Sequence, residues 1–120
     1  MRIKHPEYFT YIITNLNKTV LYTGVTNNLP ARIAEHYFNQ GKQETFAGKY
    51  NCFYLLYFKS FQYIEDAIAW EKRIKGWNRK KKDELIIAEN SEWKFLNEDV
   101  MEWPPNEEFL SERKNKYSER

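Results

Sequence analysis

The chain has 120 residues and one cysteine, Cys52, which sizes it for one compact domain and excludes an internal disulfide. It has no apolar run long enough to span a bilayer and no leader-like apolar segment near Met1, so a cytoplasmic protein with no membrane role is the expectation. The formal net charge of +2 conceals an asymmetry: residues 1–88 carry 14 Lys/Arg against 8 Asp/Glu, net +6, and residues 89–120 carry 5 against 9, net −4. A basic body favours anionic partners, because phosphate contacts are made chiefly by Lys and Arg.

In chain order, the β-branched and aromatic residues from Tyr8 to Thr14 predict a strand. Asn15-Leu16-Asn17-Lys18 is a polar break with asparagines at turn-friendly places, and Thr19 to Thr23 resumes strand character, giving a hairpin. Asn27 and Asn28 offer a helix N-cap, Pro30 falls in the first turn, and Leu29, Ile33 and Tyr37 recur at helical spacing up to about Phe38. Asn39 to Gly48 is polar and reads as a loop.

Tyr50 to Phe58 is an apolar run without alternation, which predicts a strand covered on both faces. Within it Cys52 reads as a buried, reduced hydrophobe. Phe61 to Trp77 predicts the strongest helix, with Tyr63, Ala67, Trp70, Ile74 and Trp77 on one stripe and Ile64, Ile68 and Glu71 on another. After a break near Gly76, Arg79 to about Glu89 predicts a further helix. Trp93, Phe95 and Leu96 are apolar enough to pack back on the body, and Trp103-Pro104-Pro105 interrupts any helix. The expected architecture is α+β: a small three-stranded antiparallel sheet flanked by helices, in the order β-β-α-β-α-α. The expected division is a folded body at 1–97 and a charged C-terminal tail at 98–120.

A few residues point to chemistry. Tyr11 and Tyr22 lie on the two strands of one hairpin, and the short turn lets both phenols approach one region of the sheet; each alone is better explained as core or surface packing. Gly24 frees the backbone at the end of the second strand, for turning or for close approach. Arg32 and His36 are four residues apart and share a helix face. Arg suits a phosphate through its planar fork of donors, and His moves protons near neutrality. Their plainer readings are an ion pair with Glu35 and a satisfied, half-buried ring. Glu71 sits in an apolar stripe, where a carboxylate is costly unless paired or metal-bound; a pair with Lys75 is the plainer reading. The run Lys72 to Lys82 carries seven basic residues, which alone suit a solvated helix face.

Taken together, these residues resemble the GIY-YIG nuclease superfamily. Phe9-Thr10-Tyr11 stands where the family has Gly-Ile-Tyr, and Tyr22-Thr23-Gly24 stands where it has Tyr-Ile-Gly. The stretches Tyr22 to His36 and Ala67 to Trp77 look like those of small, single-domain bacterial members, and Asn90-Ser91-Glu92-Trp93 resembles the Asn-Pro-Glu-Trp that closes such chains. The likeness spans roughly residues 8 to 97 and extends to the N-terminal endonuclease domain of the bacterial excinuclease, a DNA repair enzyme.

The resemblance implies a metal-dependent endonuclease acting on nucleic-acid phosphodiesters, with DNA the expected polymer and little intrinsic sequence specificity. It implies that Tyr11 and Tyr22 orient or deprotonate the attacking water, with His36 assisting. Arg32 would bind the scissile phosphate, and Glu71 would be the sole protein carboxylate on Mg²⁺ or Mn²⁺. Lys72, Lys75, Arg79, Lys80, Lys81 and Lys82 would hold flanking phosphates. The chain departs from the pattern at Phe9, at Val25 where excinuclease-type members carry Lys, and at Asp83 where many members carry Asn, Asn78 being out of place. The alternative is a nucleic-acid-binding module of the same fold with little or no cleavage.

Overall fold

The computed structural model describes residues 7–106. Its centre is a three-stranded antiparallel sheet made of β1 (Tyr8–Thr14), β2 (Leu21–Thr26) and β3 (Tyr54–Phe61), in the order β2-β1-β3. The hairpin between β1 and β2 is fixed by Asn15, whose Oδ1 accepts from the backbone N–H groups of Thr19 at 2.8 Å and Val20 at 3.2 Å. Lys18 takes a left-handed φ of 59° to close the turn. The resulting register sets Tyr11 opposite Gly24 and Tyr22 opposite Ile13, so these four residues share one face of the sheet.

Both faces of the sheet are covered. On one lie α1 (Leu29–Phe38) and the four-residue helices α2 (Phe46–Lys49) and α5 (Asn97–Val100). Tyr11, Ile13, Leu29, Ile33, Ala47, Cys52 and Leu55 form the core there. On the other lie α3 (Ile64–Lys75) and α4 (Arg79–Glu89), over a core of Ile12, Leu56, Tyr57, Ile74 and Ile86. Alternation along β1 feeds both layers, Tyr11 and Ile13 to the first and Ile12 to the second. The helix caps follow from the sequence. Asn28 Oδ1 accepts from Ala31 N–H and starts α1, and Asn78 Oδ1 accepts from Lys81 N–H and starts α4. In α3, Glu65 and Asp66 open the helix and Lys72, Arg73 and Lys75 close it, each favourably placed against the helix dipole. Thr10 Oγ1 donates to the Ala67 carbonyl at 2.8 Å and ties α3 to the central strand.

Over residues 53–56 the outer side of β3 is satisfied by two asparagine side chains and one backbone N–H rather than by a strand. Asn97 Oδ1 accepts from Leu55 N–H at 2.8 Å, and its Nδ2 donates to the Phe53 carbonyl at 2.9 Å. Asn90 Nδ2 donates to the Leu56 carbonyl, and Leu96 N–H to the Leu55 carbonyl. Both asparagines are buried. Trp93 and Phe95 pack on the second core, while Leu96, Val100, Met101 and Trp103 pack on the first. The packed body therefore continues past residue 97, and the charged stretch from residue 107 onward lies outside the described residues.

Several expected bounds shift. The second strand is Leu21–Thr26, running past Thr23 to Thr26. The strand expected over Tyr50 to Phe58 is Tyr54–Phe61, because Phe46–Lys49 is helical and Tyr50 is its C-cap. That strand is covered only at Leu55, Leu56 and Tyr57, and Phe58, Lys59 and Ser60 are exposed. The helix expected from Phe61 begins at Ile64, and Ile64 is exposed rather than part of a buried stripe. No helix among the described residues is long and apolar enough to cross a membrane.

Candidate active site

The hairpin and α1 converge where Tyr11, Tyr22 and His36 meet. Tyr11 rises from the central strand into the α1 layer, and its Oη lies 2.9 Å from Nε2 of His36. With Nδ1 carrying the ring hydrogen, the phenol donates to Nε2. The Tyr22 ring closes the group, 5.4 Å from the His36 ring and 6.4 Å from that of Tyr11.

Gly24 makes room for this arrangement. A Cβ at Gly24 would meet Tyr11 Oη and Cζ well inside contact distance. Close approach of the phenol, and not a turn, is what requires glycine there.

Burial sets the protonation of the pair. It pushes the Tyr11 phenol well above the ordinary tyrosine range; Tyr22, Glu35 and Glu71 add to the rise and Arg32 opposes it. Burial, with the Arg32 charge, pushes His36 down to about 4. Near neutrality the site therefore holds a neutral phenol and a neutral imidazole, joined by a hydrogen bond whose acceptor is free of charge. Arg32 and Glu71 both act electrostatically on Tyr11, which brings the two charged candidates to the same region.

Each charged candidate also has a local partner. Arg32 Nε lies 3.4 Å from Glu35 Oε2, yet that buried Nε has no hydrogen-bond acceptor. Glu71, with 18 % of its side chain exposed, lies 3.4 Å from Lys75 Nζ, which is half exposed. Such pairs are weak and readily exchanged for a ligand. Among the described residues no three His, Cys, Asp or Glu side chains cluster to hold a metal. One half-buried carboxylate beside an exposed, displaceable lysine fits a hard cation that keeps most of its waters.

The basic run divides by role. Arg79 commits its guanidinium to the fold, donating to Asp83 at 2.8 Å and to the carbonyls of Thr19 at 2.9 Å and Lys18 at 3.0 Å, which removes it from the expected phosphate contacts. Asp83, at the position of the family's Asn, is the acceptor in that network, and Asn78 is a helix cap. Lys81 lies over the Trp77 ring. Lys72, Lys75 and Lys80 are exposed and Lys82 is half-buried. Cys52 is fully buried, and burial pushes its thiol up to about 11, which keeps it protonated and inert.

One part of the site was not expected. Phe46, from α2, stacks against Tyr22 with centroids 6.3 Å apart and an interplanar angle of 25°. Its only signal in the sequence is an aromatic residue, with Tyr50 one helical turn on, at the end of a polar stretch.

A model of the GIY-YIG catalytic domain matches residues 7–84. A UPF0213 protein of Bacillus pumilus is 37 % identical over 86 residues, 72 % of this chain and 83 % of the relative. A UPF0213 protein of Pediococcus acidilactici is 37 % identical over 75 residues, 62 % of this chain and 76 % of the relative. The solution NMR structure of a UPF0213 protein from Bacillus halodurans is 26 % identical, with a TM-score of 0.47, over 72 % of this chain and 89 % of that one. The catalytic-domain match takes in both tyrosines, Gly24, Arg32, His36 and Glu71, and the chain belongs to the GIY-YIG family of nuclease domains.

Proposed function

We propose that the protein is a metal-dependent endonuclease that hydrolyses phosphodiester bonds in nucleic acid, with DNA as its polymer and little sequence preference of its own. The observation that carries this reading is the Tyr11–His36 hydrogen bond of 2.9 Å, held neutral by burial within electrostatic range of Arg32 and Glu71. A neutral Nε2 takes the phenol proton as the phenol oxygen takes one from water, so the pair relays a proton from the nucleophile into the protein. The water oxygen then bonds to phosphorus as the bond to the leaving oxygen breaks. Tyr22 walls the relay and orients the water.

Arg32 presents a permanent charge and a fork of donors to the phosphate, and meets the charge that builds up there in the transition state. Glu71 would hold Mg²⁺ or Mn²⁺, which stabilises the leaving oxygen when bound. Neutralising Glu71 also removes one of the charges that keep the proton on Tyr11. Lys72, Lys75, Lys80, Lys81 and Lys82 supply backbone contacts on either side, and such contacts carry no sequence information.

The Glu71–Lys75 pair favours a second reading, binding without hydrolysis, since it leaves the carboxylate satisfied with no ion. One experiment separates the two. Labelled single-stranded, duplex and branched DNA are incubated with Mg²⁺, with Mn²⁺ and with EDTA, beside a Glu71→Gln variant. Metal-dependent cutting that this variant loses while remaining folded is the result expected. Retention of the labelled substrates without cutting would establish the second reading instead.

A further inference from the structure

Beside the site lies an open aromatic surface that the hydrolytic reading does not use. Phe46 is 51 % exposed and Tyr50 is 40 % exposed, although both are large rings in contact with one another at 4.9 Å between centroids. Phe46 is continuous with the site, because its ring stacks on Tyr22. Lys49 Nζ lies 5.4 Å from the centre of the Tyr50 ring and places a cation at the rim of the surface. The backbone that carries these rings is well anchored: Thr45 Oγ1 caps α2 by accepting from Gly48 N–H, and Ala47 and Gly48 are buried beneath it. The rings are thus held outward by a fixed support.

We infer that Phe46 and Tyr50 form a stacking surface for an unpaired nucleobase next to the scissile phosphate, so that the substrate class is nucleic acid with a single-stranded stretch at the point of cleavage. The inference deepens the nuclease reading and rests on it for the position of the phosphate. Aromatic rings beside a cation fit a base and its phosphate together, and stacking of this kind is tolerant of sequence. A base inside a duplex has both faces occupied by its neighbours and offers none to Phe46. An unpaired base in a gap, flap or free strand offers one.

The test is binding of 2-aminopurine-labelled oligonucleotides, single-stranded or fully paired, to the Glu71→Gln variant, with a ribonucleotide strand of the same sequence as a further arm. Stacking should quench the label. The single strand, of whichever sugar, should bind at least about tenfold more tightly than the duplex, the discrimination expected of a single base–aromatic contact. Phe46→Leu keeps an apolar side chain at an exposed position and tests the ring itself. It should lose about tenfold in affinity together with the quench, whereas Phe46→Trp should keep both. Equal affinity for single strand and duplex, or undiminished binding by Phe46→Leu, would overturn the inference. Quenched, strand-selective binding without metal-dependent cutting by the unmodified protein would uphold the stacking surface and remove the hydrolytic reading. Cutting that requires Glu71, proceeds equally on paired DNA and survives Phe46→Leu would do the reverse.

Discussion

The backbone of Gly24 passes so close to the Tyr11 ring that a Cβ there would lie 2.5 Å from Oη and 2.6 Å from Cζ. Tyr11 is almost fully buried and hydrogen-bonded to His36, so its ring cannot swing aside. Gly24→Ala should therefore displace the phenol or push the strands apart. The expected outcome is a loss of about 1–3 kcal/mol in stability, as for other overpacked sites, and a fall of about 100-fold in cleavage from misplacement of a reacting group. Urea unfolding and single-turnover cleavage of the same preparation measure the two effects. Full activity in Gly24→Ala would mean that the position of the Tyr11 phenol does not matter to the reaction.

His36 makes a pH prediction with a definite sign. Its folded-state pKa, about 4, lies below the ordinary value of 6.5, so the unfolded chain binds the proton more readily. The stability this contributes is fully present above pH 6.5 and is lost as the pH falls toward 4, up to about 3 kcal/mol in all. His36→Gln should lack that part of the loss, which paired denaturation curves at neutral and acidic pH will show. Cleavage by the unmodified protein should have no inflection near 6.5 and should decline only as the pH approaches 4, where Nε2 ceases to be an acceptor.

Arg32→Lys keeps the charge and removes the planar fork. The ion pair it disturbs is half exposed, and its loss should change stability by no more than about 0.5 kcal/mol. Cleavage should fall by about 100-fold, the scale seen when an oriented donor to a transition-state oxyanion is lost. A lysine variant with near-normal kcat/KM would show that charge alone suffices at this position.

Asn97→Ala leaves Leu55 N–H and the Phe53 carbonyl without their partner in a buried setting. The cost should be about 2–4 kcal/mol, from two stranded backbone groups. The hydrogen bonds of Asn97 go to Phe53 and Leu55 and not to the hairpin or α1, so cleavage per folded molecule should be unchanged. A thermal melt alongside an activity assay well below the melting temperature distinguishes the two.

The parts of this fold that depend on local signals were legible in the sequence. β1 runs where its β-branched and aromatic residues imply, α4 spans the bounds expected after the break near Gly76, and α1 follows from Asn28, Pro30 and its apolar stripe. β3 was displaced because apolar content without alternation marks burial but not where a strand begins; Tyr50 and Cys52 end a helical turn instead. Within the site, the shared face of Arg32 and His36 and the nearness of the two tyrosines followed from helix and hairpin geometry. The Tyr11–His36 bond joins residues 25 apart, and the Tyr22–Phe46 stack joins a strand to a short helix in a polar stretch. No periodicity reports contacts of that kind, which arise only when α1 and α2 close over the sheet.

The side-chain amides along β3 have a consequence for how this molecule meets its own copies. An uncovered strand edge is a template on which another chain can extend the sheet. Over Phe53 to Leu56 that template is already filled by Asn90, Leu96 and Asn97, which imitate a neighbouring strand without being one. The segment after α4 thus acts as a guard against strand addition, and a chain cut back to the end of α4 would expose a sticky edge and self-associate.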